Sequence, residues 1–305
     1  MDNAALPTKG ETLTTVPPKT KVWLHRIGSM LGTAGVLFVC LKLYEYQGQL
    51  GFLNISAPGY AAAAGLALVY SAANLLLALA WRNLLFALKL PIPIRWTVWA
   101  YAVSQLAKYV PGNVFQFAGR QVIGLAAGLP GWPLAKSTAW ELILISLCGA
   151  VFGILALPLL PVAVSSLMAA LLFTAATIAL IVATRALWDS RAAGAVICYL
   201  IFLALSGLVF SGALAIANHG IAGIDKTLPA IVGAYVIAWL AGLLTPGAPA
   251  GLGVREAVLL ILLSGLASDP VILLALVVGR TITVSGDLMF YAAGRLVPFN
   301  WSFDK

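Results

Sequence analysis

Long apolar runs separated by short charged loops dominate the chain. Ile55 to Ala80, Gly149 to Thr184 and Ala192 to Ile224 each lack a charged residue. A helix crosses the hydrocarbon core of a bilayer with roughly 20 apolar residues. Six full spans are therefore predicted, at about Ile27–Leu43, Tyr60–Ala80, Ala139–Leu160, Val162–Ala183, Ala193–Ala217 and Val271–Ala293. Residues 1–22, rich in Pro, Thr and Lys, are expected to be disordered. The membrane domain is expected to fill residues 23–297, with 298–305 a short tail.

Two regions break the pattern. The stretch Trp96 to Pro130 is interrupted at Tyr109-Val110-Pro111-Gly112-Asn113, and Leu228 to Leu266 is interrupted from Thr245 to Gly253. The apolar pieces on either side are too short for a comfortable span, so each region reads as two half-helices of a re-entrant element. Pro111 precedes Arg120 by the same nine positions that separate Pro246 from Arg255, and Gly119 and Gly253 stand just before the two arginines. If both elements return to the side they came from, they enter from opposite faces. That is the signature of an inverted repeat, and such paired interruptions point to a transporter's binding site. The expected fold is an all-α polytopic membrane protein with about six full spans and two re-entrant broken helices.

Composition agrees. The 305 residues are 62% hydrophobic and 9% charged, with a mean hydropathy of +1.00. The net charge of +8 finds its meaning in where the basic residues fall rather than in nucleic-acid binding. With six spans, Lys9, Lys19, Lys21, Arg26, Arg82, Lys89, Arg95, Lys136, Arg185, Arg191, Arg295 and Lys305 share one side. Lys226 faces the other, with Lys42 near a boundary. The positive-inside bias then puts both termini in the cytoplasm. Cys40, Cys148 and Cys198 lie far apart in apolar segments without metal-ligand spacing.

A helix broken inside the membrane exposes backbone groups that must face protein or a wet cavity. The N-termini of half-helices present N–H groups that suit an anion. Gly112, Gly247, Gly251 and Gly253 permit positive φ and close approach, and Gln116 is a candidate to line a cavity. Lys108, Arg120, Glu141, Arg255, Glu256, Arg280 and Asp287 fall where charge is costly, by about 2.5–3.5 kcal/mol at mid-membrane, so they should point inward and pair. Arg120 is expected to meet Glu141. Glu256 should favour the start of its helix, and Arg280 and Asp287, seven apart, should share one face. Buried ion pairs that fix helix packing are the plain alternative to a ligand site. Asn74 reads as a helix–helix hydrogen-bonding residue.

These residues resemble a known family. Lys108-Tyr109-Val110-Pro111-Gly112, followed by Phe115-Gln116-Phe117 and Gly119-Arg120, is similar to the first signature of the lysylphosphatidylglycerol synthase transmembrane region, or flippase-like domain family. Glu141 fits the glutamate of the next span. Pro246-Gly247, Gly251-Leu252-Gly253-Val254-Arg255-Glu256 is similar to the second signature, with an additional Ala248-Pro249-Ala250. Phe115-Gln116 stands where family members often carry Trp-His. The resemblance covers about residues 25–297 and implies a domain that moves lipids between leaflets. The transferase module of the bifunctional members has no counterpart in these residues.

The sequence is compatible with three classes of function to different degrees. The first is a lipid translocase (flippase) for an anionic phospholipid, glycolipid or polyprenyl-phosphate-linked lipid. It would bind the head group at Lys108, Pro111, Gly112, Asn113, Gln116, Arg120, Glu141, Pro246, Gly247, Gly251, Gly253, Arg255, Glu256, Arg280 and Asp287. The second is an intramembrane enzyme, disfavoured because the histidines, His25 and His219, lie in a tail and a loop and the loop Gln47–Pro58 lacks a carboxylate. The third is an accessory protein that scaffolds envelope lipid or glycan biosynthesis enzymes. No cofactor, metal or nucleic-acid partner is expected, and a bacterial cytoplasmic membrane is the expected location.

Overall fold

The computed structural model describes residues 56–110, 115–218, 227–245, 251 and 253–296. The predicted tails, the predicted first span Ile27–Leu43, and Pro111, Gly112, Asn113, Pro246 and Gly247 lie outside the described residues. Within them the chain forms nine α-helices: α1 (Ala57–Ala87), α2 (Ile94–Gln105), α3 (Phe115–Ala126), α4 (Gly131–Ala156), α5 (Ser166–Leu187), α6 (Ser190–Ala217), α7 (Leu228–Leu244), α8 (Val254–Leu263) and α9 (Asp269–Leu296). Two 3-10 turns, Leu106–Tyr109 and Leu157–Leu159, extend α2 and α4. The protein is an all-α polytopic membrane protein. Five helices, α1, α4 with its 3-10 turn, α5, α6 and α9, are long and apolar enough to cross a membrane. They match the five predicted spans that fall within the described residues.

Local chemistry sets the helix ends. The Ser56 hydroxyl accepts from the Gly59 N–H at the start of α1, and Ser165 accepts from Met168 at the start of α5, each meeting one of the donors a helix start leaves unpaired. At the end of α3, the Gly128 N–H donates to the Leu125 carbonyl and the Leu129 N–H to the Gly124 carbonyl, both at 3.0 Å, with Gly128 at φ 88°. This paired pattern is a Schellman stop, and Pro130 follows it.

The breaks take the predicted form of paired short helices. At a rise of about 1.5 Å per residue, α3 and α8 are roughly 18 and 15 Å long, far less than a bilayer core of about 30 Å. α2 packs on α3, and α7 packs on α8. α6 is the central post, touching α1, α4, α5, α7 and α9. α5 is peripheral, with 6% of its most apolar window buried; in a membrane its outer face meets lipid.

Close backbone approach replaces bulky side chains at two crossings. A Cβ on Gly233 of α7 would lie 2.7 Å from the Ala156 nitrogen, and one on Gly286 of α9 would lie 2.8 Å from the Ala67 oxygen. Small residues of this kind let membrane helices pack without a hydrophobic driving force between them.

Candidate functional site

The charged residues of the apolar region form three pairs and one exception. The first pair ties α3 to α4. Arg120, 2% exposed, donates from Nη1 and Nη2 to Glu141 Oε1, both at 3.0 Å. The Tyr101 hydroxyl donates to the same oxygen at 3.1 Å. Aromatic rings enclose the guanidinium, whose Cζ lies 4.2 Å from the Tyr101 ring centre and 5.3 Å from those of Trp81 and Phe117. Trp81 is fully buried, stacks on Trp96 and donates to the Ser137 hydroxyl.

The second pair ties the first broken element to α9. Lys108 Nζ lies 2.7 Å from Asp287 Oδ2, and Asp287 is fully buried. The Tyr109 hydroxyl donates to Asp287. Asn74 Nδ2 donates to the other carboxylate oxygen at 3.1 Å, and Gln105 donates to Asn74 in turn. Asn74 is thus a helix-linking residue, as its position predicts.

The third pair ties the second broken element to α9. Gly253 sits at φ 83°, a conformation glycine adopts without strain, and opens α8. Its N–H donates to Glu256 Oε2 at 2.6 Å. The same carboxylate accepts from Arg280 Nη2 at 2.9 Å through Oε1. Glu256 therefore caps its own helix and fastens that helix to the last span.

Arg255 is the exception. It is 8% exposed, its Nε has no hydrogen-bond partner, and no carboxylate pairs with it among the described residues. Its guanidinium lies 5.1 Å from the ring centre of Tyr235 on α7. An aromatic face stabilises a cation without neutralising it.

Arg255 borders a cavity of about 80 Å³ between the two broken elements. That is room for a few water molecules or one phosphate-sized group. Lys108 and Gln116 enter from the first broken element, Arg255 from the second, Arg280 and Thr283 from α9, and Glu141 from α4. Tyr70, Tyr101, Phe202 and Trp239 supply much of the remaining wall.

The structure thus brings Lys108, Gln116, Glu141, Arg255 and Arg280 of the predicted set onto one cavity. Arg120, Glu256 and Asp287 stand behind it, each holding a residue that lines it. Gly251 sits at φ 73° with its backbone against Gly242 of α7. Arg280 and Asp287 share the inward side of α9 but take different partners. Sequence reasoning missed Tyr70, Tyr101, Gln105 and Trp239. The available signal was a polar or amphipathic side chain inside an otherwise apolar helix, the same signal that singled out Asn74. No protein-family model matches the chain, and none of the curated proteins matches it.

Proposed function

We propose that the protein is a lipid translocase that receives an anionic head group in the cavity between its two broken elements. One observation carries this reading: Arg255, buried and without an ion pair among the described residues, opens onto a cavity that also presents Lys108 and Arg280. Buried charge is costly without a partner, and an anionic ligand supplies the partner. The half-helices around the cavity are consistent with the inverted repeat read in the sequence, and opposed repeats provide alternating access. The resemblance to the flippase-like domain family supports the same reading. In it, Lys108 and Arg280 help attract the head group, and Arg120 holds Glu141 in place rather than contacting lipid. The protein works in the bacterial cytoplasmic membrane with both termini inside.

The test is transbilayer movement of labelled phosphatidylglycerol and a short polyprenyl phosphate in vesicles with and without the purified protein. Faster movement of either lipid in protein-containing vesicles supports translocation. Absence of movement for both turns the reading toward an accessory role in envelope lipid or glycan assembly.

A further inference from the structure

The charges around the cavity can be counted, and the count restricts the ligand; this inference rests on the cavity being the head-group site proposed above. Arg120 is matched by Glu141, Lys108 by Asp287 and Arg280 by Glu256. Arg255 remains, with an unpartnered Nε in a side chain more than nine-tenths buried. The described site therefore carries one surplus positive charge.

We infer that the cavity selects a phosphodiester, whose phosphate bears one negative charge, over a phosphomonoester or diphosphate bearing two or more. One negative charge beside Arg255 neutralises the site. A second would find no free cation among the described residues to meet it, and could gain one of those only by drawing Lys108 from Asp287 or Arg280 from Glu256. Drawing Lys108 away strands the fully buried Asp287, which is strongly unfavourable, and drawing Arg280 away leaves the part-exposed Glu256 without its counter-charge. The cavity, about 80 Å³, has room for a phosphate-sized group.

The test uses the full-length purified protein in a neutral detergent and reads thermal stabilisation by dihexanoyl-phosphatidylglycerol and dihexanoyl-phosphatidic acid. At pH 8 the monoester is doubly charged, its second ionisation lying near pH 6 as in other phosphomonoesters. The diester is expected to half-saturate the stabilisation at a concentration at least about tenfold lower, a difference equivalent to about 1.4 kcal/mol. Arg255→Gln should abolish the diester effect and Arg255→Lys should keep most of it. Asp287→Asn, which releases Lys108 and adds a second surplus charge, should shift the preference toward the monoester. A merely structural role for Asp287 would weaken both ligands alike.

Equal stabilisation by the two ligands, a preference for the monoester in the wild type, or no stabilisation by either overturns the inference. Because the readout is binding, failure of transport in vesicles with diester-selective stabilisation intact would remove the translocase reading and leave the charge selection standing. Transport of phosphatidic acid as fast as phosphatidylglycerol would do the reverse.

Discussion

Arg280 and Asp287 lie seven residues apart on α9 and do not pair with each other. Arg280 reaches Glu256 of the second broken element, and Asp287 reaches Lys108 of the first. The last span is therefore the part of the molecule to which both broken elements are tied. A ligand that engages Lys108 or Arg280 also acts on the contacts that hold those elements to α9.

The Lys108–Asp287 link should be a major source of stability. Asp287 accepts from Tyr109 and Asn74 besides pairing with Lys108, so Asp287→Ala leaves the mostly buried Lys108 ammonium without its counter-charge. A loss of about 3–5 kcal/mol is expected, as for other buried pairs that lose one partner. Lys108→Met combined with Asp287→Ala should recover part of it, read by thermal unfolding in detergent.

Arg120 should behave as a structural residue in the same measurement. Arg120→Met leaves Glu141 buried without its counter-charge, at a cost of about 3–5 kcal/mol. Adding Glu141→Leu should bring the protein back toward wild-type stability. Arg255→Gln, which breaks no ion pair among the described residues, should shift unfolding much less than Arg120→Met alone.

The glycines of the second break should rank by geometry. Gly253→Ala meets open space but must hold φ 83° with ψ −49°, a sparsely populated backbone region that costs a non-glycine residue about 1–3 kcal/mol. Gly251→Ala adds a steric clash, since its Cβ would lie 2.7 Å from the Gly242 Cα. It should be the more damaging in expression yield and unfolding temperature.

Glu256 serves two partners, and its variants should separate them. Glu256→Gln keeps an oxygen for the Gly253 N–H and gives up the charge facing Arg280. Glu256→Ala removes both, adding a capping loss of about 0.5–2 kcal/mol. Unfolding temperatures should therefore fall in the order wild type, Glu256→Gln, Glu256→Ala.

Much of this architecture was legible in the sequence. The spans could be read because the bilayer demands about 20 apolar residues, and Gly149 to Thr184 or Ala192 to Ile224 have no alternative home. The breaks could be read because Pro and Gly interrupt helices in a fixed relation to Arg120 and Arg255. The Arg120–Glu141 pair was legible because two opposite charges in neighbouring apolar helices must neutralise each other. Partner choice at longer range was not. Asp287 meets Lys108, and Arg280 meets Glu256, through the packing of helices distant in sequence, and no local periodicity encodes that. The aromatic wall was hidden for a related reason: Tyr101 and Trp81 look like ordinary membrane aromatics until the fold gathers them around Arg120.

The central claim is that Arg255 is the cation that receives an anionic head group between the broken elements. The most direct measurement compares movement of labelled phosphatidylglycerol across vesicles containing wild-type, Arg255→Lys or Arg255→Gln protein, each shown to be folded by its unfolding temperature. The account predicts rapid movement with the wild type, substantial movement with Arg255→Lys and at least about a tenfold loss with Arg255→Gln, equivalent to about 1.4 kcal/mol. Wild-type rates in folded Arg255→Gln protein would contradict it.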